Sequence, residues 1–237
     1  MRLMTCAALA AAAIVAAPAS ATFFSFASDA DHTSWTFGGN GGLVTSGNDP
    51  FDPQLLAIDD NNGPTFTFLQ LEFEASFELS YLGSLPFVGG KATHTYAISG
   101  AFAFIDPSTQ LPLLVCNFAG GLFSTVGNGG PNPTWGSTAS IQAGDDYSVV
   151  NYQWFGPADP NLGLYPGQSV GLDTLAYTLT VLNSATGPGV AVDPQTYLPT
   201  SQWYSEGSFS GSTNFVPAPG VAVLAGFAGL GLLRRRR

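Results

Sequence analysis

Three glutamates within a short stretch are the first candidates for catalysis in this sequence. Glu72, Glu74 and Glu78 all occupy even positions, so on a β-strand their side chains would project from one face, with next neighbours about 7 Å apart. Two carboxyl groups at such distances suit glycoside hydrolysis, in which one acts as the acid and the other as the nucleophile or base. A polar strand face without catalytic function accounts for the same residues, and we favour that interpretation.

Two groups of residues offer ligands for a metal ion. The loop Asp59–Gly63 is rich in carboxylate and amide side chains, and Asp49 and Asp52 precede it. Such oxygens can coordinate calcium, but an ordinary turn favours the same residues and their order differs from that of an EF-hand. His32 and His94 have no second ligand at metal-binding spacing, so we expect structural or surface roles for them. No cofactor is expected, and calcium is an alternative.

Aromatic residues and catalytic motifs give little further guidance. Aromatic rings on a sheet surface can stack on sugars, whereas buried rings stabilise a core. The sequence leaves both roles open for its tryptophans, Trp35, Trp135, Trp154 and Trp203. It contains no Gly-x-Ser-x-Gly motif, no phosphate-binding glycine loop with a lysine and no zinc-binding helix motif.

The charge distribution excludes nucleic acid as a partner. All 16 acidic residues of the chain lie between Asp29 and Glu206, where Lys91 is the only basic residue, so this region carries a formal net charge of −15. Phosphate backbones are bound by lysine and arginine. Cys116 is the only cysteine of this region, which excludes an internal disulfide, and its apolar neighbours predict a buried thiol.

Strict alternation from Leu69 to Tyr81 indicates a half-buried β-strand. The odd positions are apolar and the even positions are polar, which is the period of a strand with one face in the core. We therefore expect Leu71, Phe73, Phe77 and Leu79 to be buried and the three glutamates to be exposed.

The apolar pattern changes phase just before this strand. Phe66 and Phe68 are apolar at even positions, which predicts a β-bulge, or a strand crossing between sheets, near Phe68–Leu69. Further strands are predicted at Phe23–Ser28, Thr33–Phe37, Thr95–Ile105, Leu113–Phe118, Leu122–Val126, Thr134–Gln142, Tyr147–Phe155, Thr174–Leu182 and Gln202–Ser210.

Short strands separated by glycine-rich and proline-rich turns predict an all-β fold. We expect a single antiparallel β-sandwich, jelly-roll-like, formed by one domain over residues 22–206. Residues 207–215 are rich in Gly, Ser, Thr and Asn, and they are either a linker or the end of a last strand.

The N-terminal residues 1–21 have the composition of a secretory signal peptide. Arg2 precedes an apolar run over residues 7–17, and small residues follow it. This order predicts export and cleavage by signal peptidase between Ala21 and Thr22.

The C-terminal residues 216–237 combine an extended motif, an apolar segment and a basic end. Pro217 and Pro219 keep the motif extended and accessible. The uncharged residues 221–233 would span about 20 Å as a helix, which is short of a bilayer core of about 30 Å, but snorkelling arginines and a thinned bilayer bring it closer. Arg234–Arg237 should remain cytoplasmic, with the body outside. A buried core helix is the alternative.

This tail resembles the PEP-CTERM sorting domain of Gram-negative bacteria. In that family a Val-Pro-x-Pro motif precedes a short membrane segment and a terminal arginine cluster. Val216, Pro217 and Pro219 match this motif, whereas Ala218 stands where the family usually has Glu. The resemblance implies processing by an exosortase-type membrane protease. The residues assigned to sorting and processing are Ala21, Val216, Pro217, Ala218, Pro219, Gly220, Arg234, Arg235, Arg236 and Arg237.

These features predict an exported, non-enzymatic protein of the cell surface or extracellular matrix. It would be anchored in the membrane by its C-terminal helix, with its body outside the cytoplasm, until processing. Its expected partners are signal peptidase, an exosortase-like protease, the membrane and, as an alternative, polysaccharide. The competing functions are a carbohydrate-binding sandwich and an envelope glycoside hydrolase.

Overall fold

The fold is all-β throughout the residues that the computed structural model describes, which are 21–37, 42–46, 54–59, 66–144, 148–184 and 187–215. The strands form one antiparallel sheet, which confirms the predicted all-β antiparallel class. They are β1 (Thr22–Phe37), β2 (Leu43–Ser46), β3 (Gln54–Asp59), β4 (Thr67–Phe87), β5 (Lys91–Asp106), β6 (Leu111–Asn128), β7 (Thr134–Trp135), β8 (Ala139–Ala143), β9 (Val149–Trp154), β10 (Gly167–Gln168), β11 (Thr174–Ser184), β12 (Gly187–Pro188), β13 (Val190–Ala191) and β14 (Trp203–Thr213).

The sheet closes on itself. Hydrogen-bonded neighbours run from β1 through β14, β11, β8, β6 and β5 to β4, and both β2 and β3 pair β4 back to β1. The long strand β6 changes partner along its length, because residues 114–119 pair with β9 and residues 122–125 pair with β8. Closure gives each strand of this circuit partners on both sides along part of its length, which reduces the free edge that can promote aggregation.

Aromatic rings fill the interior of the closed sheet. Phe73 on β4 lies 5.1 Å from Phe26 on β1 and 6.0 Å from Tyr177 on β11, measured between ring centroids. Phe102 and Phe104 on β5 complete its surroundings. Strands from different parts of the circuit therefore share one aromatic core, and aromatic pairs at these separations add to the stabilisation that burial provides.

The predicted faces of β4 are largely confirmed. Leu71, Phe73, Phe77 and Leu79 are buried as expected. The even positions from 74 to 80 are exposed. The alternation thus holds over the part of the strand that lies across the core.

The prediction of a β-bulge, or of a strand crossing between sheets, near Phe68–Leu69 is wrong. The register between β3 and β4 runs without interruption from Gln54↔Leu71 to Ile58↔Thr67. Phe66 and Phe68 are 53% and 61% exposed. Both side chains therefore remain on the outward face, which is apolar at this end of the strand. The register shift in β4 falls between Tyr81 and Gly83.

Two pairs of predicted strands are single strands in the structure. Phe23–Ser28 and Thr33–Phe37 join in β1, with a register shift between them. The two strands predicted between 113 and 126 join in β6 across Gly120 and Gly121. Gly120 has a φ of 75°, a conformation that glycine adopts readily, and this pair lies where β6 changes partner from β9 to β8.

Both ends of the described body meet at one place. Residues 207–213 belong to β14, so this segment is the end of the last strand. Thr22 pairs with Thr213, and Phe215 forms an isolated bridge with Ser169. The start of β1 and the last described residue therefore lie side by side.

Candidate functional site

The three glutamates do not form the predicted exposed row. Glu72 is only 5% exposed, so its predicted exposure is wrong. The turn between β5 and β6 folds over it, and the side-chain amide of Gln110 contacts both carboxylate oxygens of Glu72 at 3.4 Å. Glu74 and Glu78 are exposed on the outer face of β4. Glu72 is therefore buried, whereas Glu74 and Glu78 face solvent.

His94 is fully buried within a chain of hydrogen bonds. Its Nε2 donates to the carbonyl oxygen of Asn128 at 2.9 Å, because a carbonyl can only accept. Its Nδ1 then accepts from the hydroxyl of Ser84 at 2.6 Å, and the Ser84 hydroxyl is itself 2.5 Å from that of Tyr81. Both ring nitrogens have partners inside the fold, which agrees with the expected structural role. The side chain of His32 lies outside the described residues.

The described tryptophan side chains belong to the core. Trp135, Trp154 and Trp203 are at most 3% exposed. The indole N–H of Trp135 donates to the hydroxyl of Tyr96 at 2.7 Å, and that of Trp154 donates to the carbonyl of Pro157 at 2.9 Å. These three rings are therefore not available to stack on a sugar. The side chain of Trp35 lies outside the described residues.

Several carboxylates shape turns. Asp106, Asp159 and Asp193 each accept a hydrogen bond from the backbone N–H two residues later, which is the pattern of an Asx-turn. The Ser108 hydroxyl, followed by the Ser108 backbone N–H, holds the pKa of Asp106 below its usual range. The backbone N–H groups of Thr196 and then Gln195 lower the pKa of Asp193. No group of three or more His, Cys, Asp or Glu side chains is arranged for a metal ion within the described part of the chain. The predicted calcium loop lies outside that part, apart from Asp59.

A buried carboxylate fastens the end of the last strand. Asp173 is 5% exposed and accepts hydrogen bonds from the hydroxyls of Ser169 and Thr213, the latter at 2.6 Å. The backbone N–H of Tyr152 lies 3.4 Å from the same carboxylate. Three segments of the chain, β9, the loop after β10 and the end of β14, are joined by this one side chain.

The thiol of Cys116 is buried, as the sequence predicts. Burial raises the pKa of this thiol, a hydrogen bond with Tyr152 lowers it to a smaller extent, and Asp173 raises it further. A thiol in these surroundings stays protonated at neutral pH and is a poor nucleophile. Cys116 therefore acts as a small apolar residue of the core.

A row of hydroxyl groups, which no sequence motif marks, crosses five neighbouring strands. Direct cross-strand pairing connects Ser208 to Thr178, Thr178 to Ser140, Ser140 to Ser124 and Ser124 to Thr95. We call these five residues the hydroxyl row. A shallow open depression lies over its middle part and is also lined by Thr93 and Val126. The alternation within each strand indicates that each of these residues faces outward. Their alignment in one row depends on the register between the strands.

Most predicted sorting residues lie outside the described part of the chain. This applies to residues 1–20 of the signal peptide and to the whole tail from Val216 to Arg237; Ala21 is described and precedes β1. The described residues contain no helix that is long and apolar enough to span a bilayer. Comparison with protein-family models and with curated proteins found no match for this chain.

Proposed function

We propose that this chain is an exported, non-enzymatic β-sandwich protein, jelly-roll-like, that its tail sorts to the cell surface or extracellular matrix. Signal peptidase removes residues 1–21. The segment over residues 221–233 holds the body outside the membrane, and an exosortase-like protease acts at Val216–Gly220. The terminal arginines stay on the cytoplasmic side because their translocation is costly.

The way in which the last strand ends carries this proposal. Phe215 is 1% exposed and packs edge-on against Phe24, with ring centroids 6.3 Å apart. The Asp173 hydrogen bonds hold Thr213 two residues earlier. Packing and hydrogen bonding therefore fix the chain up to Phe215, the residue that immediately precedes the Val216 motif in the sequence. Such an arrangement suits a folded module presented by a processed anchor.

Intact-mass measurement of the mature protein tests the proposal. Protein recovered from the cell envelope or medium should begin at Thr22, and after sorting it should lack Arg234–Arg237. Recovery of mature protein that retains Met1 or Arg237 would contradict the assigned processing.

Polysaccharide binding is a second candidate, favoured by the hydroxyl row. Neighbouring strands lie about 4.8 Å apart, so the row presents donors and acceptors at regular intervals beneath an open depression. Hydroxyl groups of sugars can exchange hydrogen bonds with such a row. The formal charge of −15 in the body disfavours polyanions, so a neutral glycan is the expected ligand.

Removing two hydroxyls of the row tests this second candidate. The double variant Ser140→Ala, Thr178→Val should bind neutral glucans about tenfold more weakly than the wild type, because each hydrogen bond contributes about 0.5–1.5 kcal/mol. Affinity electrophoresis in gels containing a neutral glucan measures this. The matched control is Ser76→Ala, Ser80→Ala on the outer face of β4, which should bind like the wild type. The site would be rejected if the glucan retarded both double variants equally. It would also be rejected if the glucan did not retard the wild type.

A further inference from the structure

An exposed apolar patch lies on the outer face of the sheet near its first strand. Phe23, Leu55, Phe66 and Phe68 are 39%, 49%, 53% and 61% exposed, and we call these four residues the aromatic patch. They come from β1, β3 and the start of β4, including Phe66 directly before it, and β3 pairs with both β1 and β4. The rings of Phe66 and Phe68 lie 6.3 Å apart. Clustered exposed apolar side chains mark an interaction surface more often than isolated ones do.

This patch adjoins Phe215, the residue that precedes the Val216 motif in the sequence. Phe23 pairs with Ser212, three residues before the last described residue. The next residue of β1, Phe24, faces the core and contacts Phe215. Phe23 of the patch is thus the direct neighbour in β1 of the residue that contacts Phe215.

The covalent chain limits how far this end of the body can be from the membrane. Five residues, 216–220, separate Phe215 from the apolar segment 221–233. Even fully extended, the chain from Phe215 to Val221 covers at most about 20 Å. Any bilayer that holds the apolar segment is therefore within reach of the aromatic patch.

We propose that the aromatic patch rests on the lipid bilayer surface, with its rings at the boundary between headgroups and acyl chains. This inference relies on the proposed anchoring by the tail. Phe and Leu side chains on membrane-surface segments are buried at that boundary, and the short tether keeps the patch close to it. Asp59, which pairs with Phe23, and the acidic body make zwitterionic headgroups the suitable lipid.

Two tryptophan variants test the orientation of the body. Phe68→Trp places a reporter in the patch, and Phe87→Trp places one at the other end of β4, where Phe87 is 48% exposed. The full chain is reconstituted in phosphatidylcholine vesicles, with and without brominated acyl chains, and co-flotation verifies anchoring. After subtraction of the wild-type emission, bromolipid should quench the Phe68→Trp signal at least about twofold more than the Phe87→Trp signal.

The possible outcomes distinguish this inference from the anchoring on which it depends. Co-flotation with equal quenching of both reporters, or with no quenching, would overturn the lipid contact and leave the anchor intact. A blue-shifted but unquenched Phe68→Trp reporter would show that a second copy or the tail covers the patch, which also overturns the lipid contact. Failure of the wild type to float with vesicles would overturn the anchor and the lipid contact together.

Discussion

Replacing Phe73 with alanine is expected to lower the free energy of unfolding by about 3–5 kcal/mol. Phe73 is 6% exposed and lies within 6 Å, between ring centroids, of four other aromatic rings. These rings belong to β1, β5 and β11, which form separate parts of the closed circuit. The truncation would leave a cavity among strands that cannot collapse independently, because closure fixes their separation. Urea denaturation followed by near-ultraviolet circular dichroism measures the change.

Glu78→Ala is the matched control for Phe73→Ala. Glu78 lies on the same strand but on the opposite, exposed face, so its truncation should change the free energy of unfolding by no more than about 0.5 kcal/mol. Both variants keep the backbone of β4 and differ in the face that is truncated. Similar losses of stability in the two variants would mean that the faces of β4 are assigned incorrectly.

The pattern of one strand could be predicted from the sequence because alternation is a local property. Period two alone predicts that Phe73 and Phe77 lie in the core, and both are buried. Glu72 shares the parity of Glu78 but is covered by Gln110. The contact depends on how the turn after β5 folds back, and sequence alternation within β4 carries no information about it.

Closure and register could not be predicted, since they join residues far apart in the sequence. Thr95 and Ser208 belong to the same hydroxyl row only because three intervening strands align them. A shift of one residue in any of these pairings would turn a hydroxyl toward the core. The sequence identifies outward residues, but not which of them are neighbours.

The glycine-rich end of the last strand shows why composition misleads in this protein. Residues 207–215 have a composition typical of a linker, but Gly207 and Gly211 lie in β14, where a Cβ atom would collide with the hydroxyls of Tyr177 and Tyr152 respectively. These glycines make room for large core side chains. Composition alone does not separate this use of glycine from flexibility.

Neutralising the four C-terminal arginines is expected to release the protein from the membrane. At the bilayer centre each arginine costs about 2.5–3.5 kcal/mol, so the cluster Arg234–Arg237 forms a barrier of about 10–14 kcal/mol to translocation. The 13 residues 221–233 supply little surplus hydrophobicity, because a bilayer core requires about 20 apolar residues. Without the barrier, the segment should slip through or leave the bilayer, and the motif Val216–Gly220 should escape processing because its depth is no longer fixed.

Fractionation of cells that express three forms of the chain tests the proposed anchoring most directly. The forms are the wild type, a variant with Arg234–Arg237 replaced by glutamine, and a variant with the same residues replaced by lysine, which keeps the charge. We expect the wild type and the lysine variant to be membrane-bound precursors that are processed, and the glutamine variant to lose most of its membrane fraction and remain unprocessed. Unchanged membrane association and processing of the glutamine variant would contradict the assignment of the tail as a sorting anchor.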